Sequence, residues 1–377
     1  MIDAEQLRTL QSEPGRAAVS AAIALLDEGL GGLAVTARLR RDFASLSSSA
    51  SSAAVTQATL RRRGREKFGA DADRLWLTAD GLEQATSSAV AAHRAARFAA
   101  LGSRLGRAAR VADLCCGIGG DLRALAAAGC EVMGVDRDEA TVLAATANVA
   151  EFGSVQVHCA DVETFDLTGY DAAFIDPARR AGGRRTFDVR SYAPSWTFVT
   201  SLFDAVPSGA AKVGPGISHD LVPPGVEVEW VSLRGGLKEA MLWWGGLRDG
   251  VRRRATLLPA GATMTSTSDA DGPPPTGPLR RYLYEPDDAV VRAHLIGDLA
   301  RVVDGVLPDA STAYVTSDVL VETPFAQHPG LSCADFDHRL VRLQFHNHLA
   351  RRKGPIRLDM PLQHADFLIV LDRHRNG

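Results

Sequence analysis

A chain of 377 residues, 46% hydrophobic and 23% charged, has the balance of folded globular domains and the length for two or three of them, which sets aside disordered and fibrous classes. Its formal net charge of -3 gives no long-range field to draw in a polyanion, so any nucleic-acid contact must come from local clusters. Five cysteines, an odd set with Cys115 and Cys116 adjacent, do not fit a secreted disulfide framework. Met1-Ile2-Asp3-Ala4-Glu5 has no basic segment leading into an apolar run, and no later stretch approaches about twenty uninterrupted apolar residues. A reduced, cytoplasmic setting is expected. The absence of a repeat of fixed period argues against solenoids and propellers.

Residues 1–105 read as a helical region: from Glu5 to about Ala100 apolar residues return at three- and four-residue spacing, as at Ala17, Ala21, Ala24 and Leu25. Ser45 to Ser52 is serine-rich and is compatible with either a flexible link or the start of a helix. The run Arg61-Arg62-Arg63-Gly64-Arg65-Glu66-Lys67, with His93, Arg94 and Arg97 further on, reads either as a face that tracks a nucleic-acid backbone or as an ordinary solvated helix face.

From Arg110 the pattern becomes short apolar runs ending in Asp or Gly, each followed by a helix-like stretch, as in a parallel sheet covered by helices. Strands are expected at Arg110 to Leu114, Glu131 to Asp136, Val155 to Ala160 and Asp171 to Asp176, with a weaker one near Lys212. Val226 to Leu233 and Ala240 to Trp244, separated by Arg234-Gly235-Gly236, are expected to pair as a hairpin closing the sheet. The count is seven, within an α/β domain over 106–262. Trp196, Trp243 and Trp244 read as core or strand residues rather than platforms for bases.

The most informative run is Val111-Ala112-Asp113-Leu114-Cys115-Cys116-Gly117-Ile118-Gly119-Gly120-Asp121, a strand turning through glycines into a helix. Glycine lets the backbone approach a ligand with no Cβ in the way, and exposed amides at a helix start favour a negative group. Dinucleotide-binding proteins carry a related loop, so spacing decides. Asp113 ends the first strand, where its carboxylate can accept from the amino end of a methionine moiety. Asp136 closes the second, about twenty residues on, where a carboxylate reaches ribose hydroxyls. Asp161 follows the third, placed for an adenine amine, with Val162 against the ring.

The segments DLCCGIGGD, GVDRD, CADV and FIDPARR resemble the motif series of class I S-adenosylmethionine-dependent methyltransferases. The resemblance implies a Rossmann-like seven-stranded sheet. It also implies cofactor contacts at Asp113, Gly117, Gly119, Asp136 and Asp161, with Cys115, Arg137 and Val162 in the same site. As side chains, Cys115 and Cys116 read as small buried residues under the loop. Cys130, Cys159 and Cys333 lack metal-ligand spacing, so no metal is expected.

The run Asp176-Pro177-Ala178-Arg179 lies where amino-group methyltransferases carry Asp or Asn followed by Pro-Pro and an aromatic residue. Asp176 and the Pro177 carbonyl are then the candidates for orienting an acceptor amine toward the methyl group. Ala178 and Arg179 depart from that pattern, so an exocyclic amine is one option among others. Cytosine-C5 and uracil-C5 enzymes carry partly similar runs, but the cysteine nucleophiles they require are missing after Asp176 and near Lys212 to Ser218. Arg179, Arg180, Arg184, Arg185 and Arg190, interleaved with Gly182 and Gly183, are expected in a loop over the crevice. They either bind substrate phosphates or form a solvated basic loop.

Ser, Thr, Asp, Gly and a proline triplet make 263–278 a linker. After it, 279–377 reads as a small α+β unit, with a helix over Ala289 to Leu299 capped by Asp287 and a strand at Phe367 to Leu371. The runs LRRRGREKFG, GLEQATSSAVAAHRAARFA and YLYEPDDAVVRAHL, together with the motifs above, resemble an actinobacterial-type methyltransferase with a C-terminal THUMP-like domain; Arg351-Arg352-Lys353-Gly354 stands where a Lys-Lys-Arg-Gly-like run is expected. The resemblance implies RNA, tRNA above all, as substrate. A small-molecule or protein acceptor, and a non-catalytic binding protein, are the competing expectations.

Overall fold

The computed structural model describes residues 2–181, 184–185, 189–267 and 274–327. The expected strand at Phe367 to Leu371, the basic run at Arg351 and Cys333 lie outside these. The chain divides into two compact units, Met1–Val228 with Glu239–Gly250, and Glu229–Lys238 with Val251–Gly377.

The first unit opens with six helices: α1 (Ala4–Gln11), α2 (Glu13–Asp27), α3 (Gly32–Asp42), α4 (Ser48–Phe68), α5 (Ala79–Gln84) and α6 (Ser88–Leu105). Their starts follow from capping chemistry: Asp3 and Gln6 form a reciprocal box on α1, while the Ser12, Ser47 and Thr78 side chains accept from amides of the first turns of α2, α4 and α5. Ser47 therefore resolves the serine-rich stretch in favour of a helix. On α2 the buried stripe is Gly15, Ala18, Val19, Ala22 and Leu26, displaced from the expected Ala17, Ala21, Ala24 and Leu25 face. An alanine-rich helix carries too little polarity contrast to fix its own orientation, and packing chose the neighbouring stripe.

Next come β1 (Arg110–Leu114), α7 (Gly120–Ala127), β2 (Glu131–Asp136), α8 (Glu139–Asn148), β3 (Val155–Cys159) and β4 (Ala172–Ile175). The short strands β5 (Ala178–Ala181), β6 (Arg184–Arg185) and β7 (Tyr192–Ala193) follow, then α9 (Trp196–Ala205), β8 (Ser208–Val213), β9 (Glu227–Leu233) and β10 (Gly236–Gly245). All seven expected strands are present. Two more, β11 (Arg253–Leu258) and β12 (Ala262–Ser266), make the sheet nine-stranded, in the order β12-β11-β9-β10-β8-β4-β1-β2-β3. The β9–β10 connection is therefore not the closing edge. Its turn residues Arg234 and Gly235 both have positive φ, 53° and 71°, as a two-residue hairpin turn requires. Strand β12 corrects the start of the linker: its residues alternate in burial, and its Thr and Ser content is that of a polar-faced strand as much as of a loop.

Strands β3, β2, β1, β4 and β8 run parallel, and β10 is antiparallel to β8. Strands β4 and β8 are buried along their whole length, the mark of strands covered on both faces. Chain order reverses direction at β1, with β2 on one side and β4 on the other. In such sheets the crevice at the strand carboxyl ends opens at this point.

In the second unit, β13 (Tyr282–Pro286) pairs with β15 (Val315–Ser317) and β16 (Ala326–Gln327), and β14 (Gly305–Val306) pairs with β15. The single helix expected over Ala289 to Leu299 is two, α10 (Asp288–Arg292) and α11 (Ile296–Val302), with Asp287 accepting from the Ala289 amide as expected. His294 breaks the run at φ 54°. The buried Arg253 guanidinium donates to the Ala293 and His294 carbonyls at 2.9 and 2.7 Å, satisfying the end of α10 at this break.

Candidate active site

Four parallel strands deliver Asp113, Asp136, the segment to Asp161 and Asp176 to the same edge of the sheet. Between β1 and α7 the backbone turns through Cys115, Gly117 and Gly119 at φ 63°, 55° and 83°. A Cβ added at Gly117 or Gly120 meets no atom within 4 Å, so the loop faces open space. Gly134, on β2 beneath it, is needed for contact: a Cβ there sits 2.7 Å from Leu122 and 3.2 Å from the Cys116 sulfur.

Asp136 is held by two amides: Gly117 N donates to Oδ2 at 3.0 Å and Asp138 N to Oδ1 at 3.1 Å. The glycine loop and the β2 carboxylate are thereby locked together, and each carboxylate oxygen keeps a further lone pair. Arg137 and Asp161 are exposed, Val162 is buried, and Asp161 Oδ1 accepts from the Glu163 amide at 3.0 Å.

Asp113 is different. It is fully buried, and neither carboxylate oxygen has a partner among the described residues. Burial first, then the Asp121 carboxylate, pushes its pKa well above the usual range. A buried acceptor without a donor is costly, and it fits a ligand that brings N–H groups. The Cys115 and Cys116 thiols are also pushed up, by desolvation first and by neighbouring carboxylates next, so neither is a ready thiolate.

Behind the loop lies a charge cluster. Arg94 on α6 is 2% exposed and pairs with Asp121 and Glu239, with its guanidinium 4.5 Å from the Phe174 ring centre. Burial lowers the Arg94 pKa and the two carboxylates more than reverse this, so the group stays charged. On the acceptor side, Asp176 Oδ2 accepts from the Lys212 ammonium at 2.6 Å, and Lys212 also donates to Thr86 Oγ1 at 2.9 Å. Pro177 is buried. The chain beyond it is a set of short antiparallel strands in place of the expected loop: Arg179 and Arg180 lie on β5, Arg184 and Arg185 on β6, with Arg180 opposite Arg185 and Arg179 opposite Tyr192.

The N-terminal basic run is committed elsewhere. Arg61 is 6% exposed, donates to the Leu75 and Asp73 carbonyls and lies over Trp76, and burial lowers its pKa to about 10. Arg62 pairs with Asp27, Arg65 with Asp27 and Asp73, and the Lys67 ammonium donates to the Leu82, Glu83 and Ala85 carbonyls. Arg97 is paired with Glu227. These contacts make Arg61, Arg65 and Lys67 braces between the helices, while Arg62, Arg63 and Glu66 are exposed, as a solvated helix face has them. Trp243 and Trp244 are buried in the core, as expected.

Lys212, Thr86 and Glu239 are residues that sequence reasoning missed, and Arg94, read there as part of a basic face, and Asp121, read there only as the end of the glycine run, belong to this cluster instead. A lysine inside Ala210-Ala211-Lys212-Val213 was the available signal, because a charge in a strand buried on both faces needs a buried partner.

A model of a methyltransferase domain matches residues 111–178, and a model of a domain of unknown function matches residues 3–64. Two curated relatives, uncharacterized S-adenosylmethionine-dependent methyltransferases from the CDC 1551 and H37Rv strains of Mycobacterium tuberculosis, are each 34% identical over 279 residues, covering 71% of this chain and 74% of theirs. A crystallised Porphyromonas gingivalis W83 protein named a methyltransferase superposes with a TM-score of 0.59 at 22% identity, over 74% of this chain and 73% of its own; at that identity the likeness shows the fold.

A Rossmann-like sheet with a glycine loop and strand-end carboxylates at its switch point defines a nucleotide-cofactor enzyme of the class I type. The chain belongs to the S-adenosylmethionine-dependent methyltransferases, and its cofactor is S-adenosyl-L-methionine. Among the described residues no helix is long and apolar enough to cross a membrane, and no group of His, Cys, Asp and Glu is arranged to hold a metal.

Proposed function

We propose that this methyltransferase acts on a base in RNA, with Asp176 and the Pro177 carbonyl orienting an acceptor nitrogen. Asp113, Gly117, Gly119, Asp136, Asp161 and Val162, with Cys115 and Arg137 alongside, hold the cofactor, which supplies an electrophilic methyl group. The observation that carries the acceptor assignment is the Asp176 carboxylate. It stands at the tip of β4 beside the glycine loop, its side chain 22% exposed, with Oδ2 already engaged by Lys212. A methyl transfer from a sulfonium needs an aligned nucleophile more than acid catalysis, and one fixed acceptor oxygen supplies alignment.

The RNA part is supported by the arginine-bearing strands β5 and β6, the first of which continues directly from Pro177, and by the THUMP-like resemblance of residues 279–377, with 1–105 as helical region, 106–262 as catalytic domain and the linker beginning only after β12. The enzyme then works in the cytoplasm on tRNA or another structured RNA. Nucleoside mass spectrometry of RNA from cells lacking the protein, against the parent, tests this: one methylated nucleoside should disappear, and identical profiles would refute an RNA substrate.

A protein or small-molecule acceptor is favoured by one specific observation, the engagement of the N-terminal basic run in internal contacts. Labelled methyl transfer to RNase-treated lysate, with none to purified RNA, would select it.

A further inference from the structure

Lys212 is the one cation on β8, a strand whose six residues are all buried. A buried ammonium is retained only where its partners are well placed, and here they come from two directions. Strands β4 and β8 are parallel neighbours with Ile175 opposite Ala211, so the next residue of each, Asp176 and Lys212, stand side by side, and the ammonium meets Oδ2 at 2.6 Å. Thr86 takes a second ammonium proton at 2.9 Å from the link between α5 and α6. That link is itself pinned, because the Lys67 ammonium gathers the carbonyls of Leu82, Glu83 and Ala85.

We infer that Lys212, seated by Thr86, is a positioning residue for methyl transfer: it holds Asp176 by Oδ2, so that Oδ1 alone is offered to the N–H of the acceptor. Free rotation of the carboxylate is lost, and with it the alternative in which either oxygen takes the acceptor in a different pose. The groups coupled to Asp176 from the surrounding elements are the carboxylates of Asp113 on β1 and Asp121 on α7, the Cys115 thiol, and the cations Lys212 and Arg94. Arg94 is already engaged by Asp121 and Glu239. Without Lys212, Asp176 faces two carboxylates with no cation of its own.

This role rests on the assignment of Asp176 to the acceptor. Initial rates of labelled methyl transfer from S-adenosylmethionine to unfractionated lysate of cells lacking the protein are measured over a range of lysate concentrations. The full-length enzyme is compared with Lys212→Met, Lys212→Arg, Thr86→Val and Asp176→Ala, and calorimetry gives each variant's cofactor affinity. Lys212→Met should lose about 10²-fold in rate, the effect of a misplaced orienting group, while holding cofactor within a few-fold of the parent. The loss should fall on the saturating rate rather than on the lysate concentration that gives half of it, as for a group that orients the acceptor. Lys212→Arg should restore most of the rate, and Thr86→Val should lower it to a lesser extent. A Lys212→Met enzyme with the parent's rate, or with a rate loss matched by lost cofactor affinity or not relieved in Lys212→Arg, overturns the positioning role. Full activity in Asp176→Ala overturns the acceptor assignment itself. Inactive Asp176→Ala beside unchanged Lys212→Met removes Lys212 alone, and no transfer by the parent to any lysate component overturns both.

Discussion

Asp113 and Asp136 lie near the carboxyl ends of neighbouring strands and differ in their hydrogen bonding. Asp136 accepts two amides, at 3.0 and 3.1 Å, and its removal leaves the Gly117 amide without its acceptor as well as the ligand without a carboxylate. Asp136→Ala should weaken cofactor binding by about 1 to 3 kcal/mol, read by calorimetry; undiminished affinity would place the ribose contact elsewhere. Asp113 has no hydrogen-bond partner among the described residues and a raised pKa, caused first by burial and next by Asp121. In the unfolded chain an aspartate ionises near pH ~3.9, so above that value the native state holds a proton the unfolded state has lost. The stability tied to this group is full below the unfolded value and declines as pH rises toward the raised one. Asp113→Asn keeps the shape and removes the titration. In denaturant unfolding without cofactor, its stability relative to the parent should therefore improve from about pH 4 to about pH 8, while its cofactor affinity falls. A relative stability that is flat across this range would mean that Asp113 does not carry the raised pKa.

The elements of the first unit are joined through a few buried polar side chains, and Asn148 is the clearest. At the end of α8 it accepts from the Trp76 amide at 2.7 Å and donates to the Trp76 and Ile118 carbonyls at 2.9 and 2.8 Å, so one side chain fastens the helical region to the glycine loop. Asn148→Ala strands buried donors and acceptors together. It should cost at least about 1 to 3 kcal/mol in denaturant unfolding, with a loss below that showing that the groups find water. The parallel strands and the helices between them were legible as periodic apolar runs, and all seven expected strands formed. Strands β11 and β12 were not, because Arg253-Arg254 and the Thr- and Ser-rich stretch after Gly261 owe their strand form to the ladder they share rather than to their own composition. The break at His294 was invisible for a similar reason, since Arg253 satisfies the carbonyls at that break from far along the chain.

At the scale of the molecule, a net charge of -3 leaves RNA binding to a local surface, and the arginines of β5 and β6 are the proposed one. Each phosphate contact contributes about -0.7 to -0.9 to the slope of log affinity against log salt. Replacing Arg179, Arg180, Arg184 and Arg185 together by alanine should therefore flatten the slope for bulk tRNA by about 3 in filter binding, and an unchanged slope would move the RNA surface elsewhere. The sequence by itself determined the cofactor fold and the strand-end carboxylates, because a glycine loop, an alternation of strand and helix and an acid at each strand tip are local patterns written in consecutive residues. Only the tertiary structure decided which charges are spent and which remain. Arg61, Arg94 and Lys212 find their partners 12 to 145 residues away, and a basic residue reads the same in sequence whether it meets solvent, a carbonyl or a buried carboxylate.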